Sequence, residues 1–190
     1  MTEHYFDNEE FHNIDFTKIA IKKGEYDQCR FIGCNFSGIH ASNIQFIECE
    51  FIDCNVSNAI VKNTAFKGVS FLDSKLMGVQ FFEIDAFLLK MRFENCQLRF
   101  SSFRELHMQH TVFKNCQLEH VEFASADLKG SVFDNSNLKY AIFEETNLEK
   151  VDFSSAFSLS IDPDQNRLKG AIFTKDNCSG LLHKYKIQIV

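Results

Sequence analysis

Every fifth residue of this chain is apolar over most of its length. From Phe6 the beat runs through Phe11, Phe16, Ile21, Tyr26 and Phe31 to Phe81 without a miss. From Leu88 to Phe173 it resumes, shifted by two residues, and only Ser158 and Pro163 interrupt it. These positions take 18 of the 22 phenylalanines. A beat of five matches neither the helix period of about 3.6 nor the strand period of about two. Ordinary helices or strands would scatter these rings over every face, so neither is predicted.

A longer period contains the short one. Phe11, Phe31, Phe51, Phe71, Phe93, Phe113, Phe133, Phe153 and Phe173 recur every 20 residues, with one step of 22 between Phe71 and Phe93. A fixed period sustained this long predicts a solenoid, in which each turn buries its apolar face against the next. The residue two before each central one is small, as at Cys29, Cys34, Cys49, Cys54, Ala126, Ser131, Ser136, Ala141 and Thr146. The residue two after is often Gly or Asn: Gly33, Gly38, Asn58, Asn63, Gly68, Gly78, Asn95, Asn115, Gly130 and Asn135. Gly and Asn tolerate the positive φ that sharp corners need. A large and a small residue inward, then a corner, predict a narrow square tube. Its coils would hydrogen-bond at the sheet spacing of about 4.8 Å.

Four inward ladders follow. The first is the Phe series above, and the second runs from Phe16 and Phe36 to Leu118 and Leu138. The third runs from Ile21 and Ala41 to Phe123 and Phe143, and the fourth is Tyr26, Phe46, Phe66, Leu88, Met108, Leu128, Leu148 and Leu168. About 8 coils at about 4.8 Å each would make a tube roughly 40 Å long.

The units Ala126-Asp127-Leu128-Lys129-Gly130, Ser136-Asn137-Leu138-Lys139-Tyr140 and Thr146-Asn147-Leu148-Glu149-Lys150 resemble the A(D/N)LXX motif of pentapeptide-repeat proteins. The resemblance covers roughly residues 6 to 173. It implies an all-β solenoid, a right-handed quadrilateral β-helix with four pentapeptides per coil. The domain expectation is a β-helix over 1–173 and a C-terminal helix and tail over 174–190.

Composition narrows the function classes. Net charge is −6, which argues against direct nucleic-acid binding. No apolar run of membrane-spanning length and no basic-then-apolar leader is present, so a soluble, cytoplasmic protein is expected. Cys29, Cys34, Cys49 and Cys54 have the chemistry of a zinc site. Yet six of the seven cysteines, Cys96 and Cys116 included, occupy the small inward position, where Cys acts as a small buried hydrophobe. They are read as core thiols. The seven histidines share no ligand spacing, and no nucleophile, phosphate-loop or dinucleotide motif occurs. The expectation is a non-enzyme without metal or cofactor.

Departures from the repeat are where function is expected. Between Phe81 and Leu88 two extra residues enter, giving a bulge over 82–87 in which Phe82 and Phe87 fall outward beside Glu83 and Asp85. That bulge reads either as a partner hot spot or as a cap folded onto its own coil. From Ser155 to Asn166 the beat loses Ser158 and Pro163, which predicts the end of the coils there. A helix is expected over Asp176–Lys186, capped by Asp176. Leu181, Leu182, Tyr185, Ile187 and Ile189 then form an apolar tail that must fold back or meet a second copy.

The order Ile161-Asp162-Pro163, Leu168-Lys169-Gly170-Ala171 and Leu181-Leu182-His183-Lys184-Tyr185-Lys186-Ile187-Gln188-Ile189 is similar to the C-terminal end of the Qnr and MfpA group. That resemblance implies a homodimer joined through the tail. It also implies binding to DNA gyrase or topoisomerase IV, protection from quinolones, and mimicry of DNA in shape and charge. The long projecting loops of some Qnr members are missing. The acids implied to meet the partner lie along the first face: Glu50, Asp53, Asp73, Glu94, Asp134 and Asp152. Glu10 joins them against Arg30, Arg92 and Lys114, a balance far sparser than the one charge per about 1.7 Å of a DNA duplex. The alternative is a rigid scaffold or adaptor with an unrelated protein partner.

Overall fold

Hydrogen bonds between successive coils organise the whole chain. The computed structural model describes residues 4–188. Its strands are short and all pair in parallel: β1 (His4–Asp7), β2 (Glu10–His12), β3 (Gly24–Asp27), β4 (Arg30–Ile32), β5 (Gln45–Ile47), β6 (Glu50–Ile52), β7 (Ala65–Leu72), β8 (Asp85–Glu94), β9 (Val112–Lys114) and β10 (Val132–Asp134). β1, β3, β5 and β7 lie side by side along the fourth face, and β2, β4, β6 and β7 along the first. β8, β9 and β10 continue the first face. Phe31 faces Phe51 and Phe113 faces Phe133, so each coil takes 20 residues. The second and third faces meet through single bridges such as Asn35 with Asn55 and Ser102 with Glu122. This is the expected parallel β-solenoid.

The rings fill the tube. Along the first face eight consecutive ring pairs, from Phe11–Phe31 to Phe153–Phe173, stack with centroids 4.8 to 5.4 Å apart. That spacing is close to the roughly 4.8 Å between strands, so ring stacking and backbone pairing ask for the same geometry. On the opposite face Phe81, Phe103, Phe123 and Phe143 stack likewise, and Phe103 meets Phe113 edge-on at 6.0 Å.

The corners explain the Gly and Asn pattern. All ten predicted corner residues have positive φ, between 46° at Asn135 and 75° at Gly68. Phe100, Glu105 and Tyr140 adopt the same conformation, at a cost of roughly 1–2 kcal/mol for a residue with a Cβ. The turn aims the corner N–H along the tube, and Glu105 N–H donates to the Ala124 carbonyl at 2.9 Å.

The small inward residues have a second task. Ser131 Oγ donates to the Met108 carbonyl at 3.0 Å and accepts the Thr111 N–H at 3.1 Å. Ser136 does the same with Phe113 and Cys116. Cys49 and Cys54 donate their thiols to the carbonyls of Tyr26 and Phe31, each at 3.2 Å. Burial pushes the Cys49 thiol up to about 12, so it stays protonated at neutral pH.

Three sequence expectations need correction. The extra residues lie at the end of 82–87 and just beyond it rather than over the whole of that range. Phe81–Glu83 form a 3-10 turn and Ile84 is buried in the small position, so the repeat is intact there. Ala65 pairs with Asp85 at the normal step, whereas Lys67 pairs with Lys90 and Val69 with Met91, so the insertion falls between Asp85 and Lys90. Consequently Leu88, expected inward, is 66% exposed with φ 57°, and Leu89 packs against the core instead. Nor do the coils stop near Ser155. Leu159 turns inward beside the exposed Ser158, and bridges Asn147–Arg167 and Asp152–Ile172 hold the register to Phe173.

The third correction is the C-terminal helix. Two 3-10 turns, Cys178–Leu181 and His183–Tyr185, stand where one short helix over Asp176–Lys186 is predicted. Asn177 Nδ2 donates to the carbonyls of Phe153 and Ala156 at 2.7 and 3.1 Å, taking the place of the small inward residue of a further coil. Gly180 is buried against Leu159, where any Cβ would collide with the Leu159 side chain and backbone. Lys184 Nζ lies 2.6 Å from Asp162 and also binds Asp164. A helix would have withdrawn these groups from the end coil they cover.

Two tests follow from the packing. Phe113→Ala removes a wholly buried ring and should cost about 3–5 kcal/mol in denaturant unfolding, whereas Phe100→Ala, at an exposed corner, should stay within about 0.5 kcal/mol. Ser131→Ala leaves the Met108 carbonyl and the Thr111 N–H with only their mutual 3.3 Å bond and should cost about 0.5–1.5 kcal/mol. Equal effects for the two Phe variants would contradict the stacked core.

Acid should loosen the C-terminal cap. The Lys184 ammonium, with the Asp164 N–H, holds the Asp162 carboxyl below its ordinary range, so its contribution is present above that range and fades as pH falls through the depressed value. The hydrogen-exchange protection factors of residues 177–185, referred to the unfolded-chain rate at each pH, should fall on acidification more steeply than those of β9. Lys184→Ala should abolish the difference.

Candidate functional site

A filled tube offers faces, edges and ends rather than a catalytic cleft. Side chains on the outside repeat at the coil step, so each touches the residue one coil above and one below. On the first face this rule decides the fate of the predicted acids. Arg30 lies between Glu10 and Glu50, with contacts of 2.6 and 3.1 Å. Glu94 accepts Lys114 at 2.8 Å and Arg92 at 2.9 Å, and those two bonds hold its carboxyl below the ordinary value. Glu50 therefore shares Arg30 with Glu10, and Glu94 is paired by Arg92 on its own strand and Lys114 on the next coil.

The other four acids have no ion pair among the described residues. Asp53 and Asp73 occupy successive corners, each with φ 51°. Asn95 donates to Asp73 at 2.8 Å, Asn115 to Asn95 and Asn135 to Asn115, both at 2.9 Å, so the acidic edge continues as an amide ladder. Asp134 accepts the Ser155 hydroxyl at 2.9 Å, and Asp152 accepts the Ser154 N–H at 2.8 Å. The six predicted acids thus do not form one continuous negative strip. Asp53 and Asp73 stand together, and Asp134 and Asp152 lie farther along.

Around the 22-residue step the predicted group separates. The Arg104 guanidinium covers the half-buried Phe82 ring at 4.1 Å. Phe87 is 67% exposed, with Lys67 Nζ 5.9 Å from its ring. Asp85 accepts the Phe87 N–H at 3.0 Å at the start of the bulge in β8, and Glu83 is exposed. At the C-terminal end Leu181 packs against the core, while Leu182, Tyr185 and Ile187 are exposed. Ile189 lies outside the described residues.

One column escaped the sequence reading. Phe100, His120 and Tyr140 stack on the outside of one corner, with centroids 5.0 and 4.9 Å apart. Arg99 forms a two-bond pair with Glu119 beside it, and Lys139 lies 5.1 Å over the Tyr140 ring. The signal was available. These are aromatic residues at the corner position, 20 residues apart, where other coils carry Gly or Asn. Among the described residues no group of three or more His, Cys, Asp or Glu is placed to hold a metal ion, and no helix is long and apolar enough to cross a membrane.

Comparison with known proteins accords with this geometry. Two trypsin-treated variants of QnrB1, described as a plasmid-mediated fluoroquinolone resistance protein, superpose over 98% of this chain. The first covers 92% of the QnrB1 chain with a TM-score of 0.66 at 16% identity. The second covers 90% with a TM-score of 0.54 at 18% identity. At that identity the likeness establishes the fold alone. No curated protein sequence matches the chain. The profile of the pentapeptide repeat region matches residues 24–90 and 86–156, most of the length. With its five-residue beat, square coils and left-handed corners, the chain belongs to the pentapeptide-repeat family.

Proposed function

We propose that this chain is a non-catalytic interaction module of the Qnr kind, which binds a type II topoisomerase, DNA gyrase or topoisomerase IV, and shields it from quinolones. The observation that carries the reading is the superposition on QnrB1 across nearly the whole chain rather than on a few coils. Asp53 and Asp73 on one edge give a basic partner surface its first contact, and charge at such positions acts on the rate of encounter. Leu182, Tyr185 and Ile187, exposed beyond the folded-back cap, supply the self-complementary patch of a two-fold homodimer.

The second reading, a rigid scaffold for an unrelated protein partner, draws support from the pairing of charges. Glu10–Arg30–Glu50 and Arg92–Glu94–Lys114 cancel much of the field that a DNA-like surface requires.

A gyrase supercoiling assay, titrated with the protein with and without a fluoroquinolone, separates the two. Restored supercoiling in the presence of the drug is the expected result. Absence of any gyrase complex at low salt ends the topoisomerase reading and leaves the scaffold. Asp53→Lys combined with Asp73→Lys should slow association about tenfold at low salt and less at high salt, with dissociation unchanged.

The dimer has its own test. A chain ending at Gly180 should sediment as a monomer, and Tyr185→Glu with Ile187→Glu should do the same without disturbing the cap. A stable dimer of either variant moves the interface elsewhere.

A further inference from the structure

The 22-residue step does more than expel Leu88. Where β8 runs wide of β7, a recess of about 660 Å³ opens at the turn from the fourth face to the first, between β8 and the coil that follows. Leu89, Met91 and Val112 form its apolar floor. Lys90 and Arg92 stand on one side, His107 and His110 on the other. No acidic side chain lines it. In a chain of net charge −6, four basic side chains around one hollow without a single acid are not a product of composition.

The surrounding charges leave this edge available. Lys90 makes no ion pair among the described residues. Arg92 gives one Nη2 bond to Glu94 at 2.9 Å, and Glu94 is also satisfied by Lys114. Asp127, the acid nearest His107, lies 3.9 Å from its Nδ1 and is already bonded by Gln109, Asn147 and the Lys129 N–H. The ring of His110 lies over Gly130, where a Cβ would come within 2.7 Å of it, so the absent side chain lets the imidazole lie across the next corner. Imidazole offers an N–H donor whether neutral or charged.

We propose that this recess binds a small organic anion, a carboxylate or phosphate monoester carried on an aromatic or aliphatic body. The Lys90 ammonium and Arg92 guanidinium, with the imidazole N–H groups opposite, take the anionic group, and the floor of Leu89, Met91 and Val112 takes the body. Its volume falls within the roughly 300–1,000 Å³ of small-molecule sites. The hollow is open on one side, so affinity for a simple probe lies in the range of about 0.1–1 mM. This site is separate from the Asp53–Asp73 edge and does not rest on topoisomerase binding.

Phenyl phosphate is the probe, followed by backbone and methyl NMR shifts of the full chain. Saturable shifts should centre on Leu89, Met91 and Val112. Inorganic phosphate, which lacks the body, should bind about tenfold more weakly, and benzyl alcohol, which lacks the charge, should produce no saturable shift. Lys90→Ala combined with His107→Ala should weaken phenyl phosphate at least about tenfold, whereas Lys139→Ala, on another face, should leave it unchanged. Both variants change exposed side chains, and an unaltered spectrum away from the recess verifies their fold. No saturable shift up to about ten times the expected dissociation constant overturns the site, as does equal binding by wild type and the double variant. Equal affinity for phenyl phosphate and inorganic phosphate overturns the role given to the floor.

Discussion

One spacing governs this molecule. Parallel backbone segments must lie about 4.8 Å apart to share hydrogen bonds, and flat aromatic rings stack at nearly the same distance. When a ring occupies the same place in every coil, both requirements are met together. The column from Phe11 to Phe173 is the result. Everything else adapts to it. Corners adopt positive φ even at Phe100, Glu105 and Tyr140, because any other turn would aim the N–H away from the next coil. Ser, Thr and Cys at the small position give inward carbonyls a hydrogen bond from the following coil. The two residues beyond 20 in one coil cannot be absorbed in register and are carried as a bulge within β8.

The same rule organises the exterior. A side chain outside the tube has two close neighbours, one coil before and one after, so the surface is a set of columns rather than a mosaic. Some columns are amides, as in Asn95–Asn115–Asn135. Others alternate charge, as in Glu10–Arg30–Glu50, or stack aromatic groups, as in Phe100–His120–Tyr140. Any partner therefore meets stripes that run along the axis.

How far the sequence could be read follows from the same logic. Inward ladders, corners and buried thiols were legible because each recurs at a fixed interval, and recurrence needs no tertiary information. The insertion over 82–87 reaches beyond what the sequence marks, to Leu88 and Leu89, because both are apolar and only pairing with β7 decides which turns inward. The tail is not legible in the same way, because its pattern allows a helix, while the fold commits Asn177 to the carbonyls of Phe153 and Ala156. The candidate acids were readable as outward residues. Their neutralisation was also readable, since Arg30 stands 20 residues from both Glu10 and Glu50, but a count of charges per face does not reveal who touches whom. The recess was hidden for a different reason, since it exists only where two coils of unequal length lie together.

The corner carboxylates of Asp53 and Asp73 expose a conflict between stacking and surface charge. Like charges about 4–5 Å apart repel by about 1 kcal/mol even in water. A full stripe of acids would repeat that repulsion at every coil and push apart the contacts that hold the tube. The chain keeps two adjacent acids and then turns to amides, with Asn95 donating to Asp73 at the boundary. A β-helix of this kind can imitate a polyanion in outline more cheaply than in charge density, because each added carboxylate strains the column beneath it.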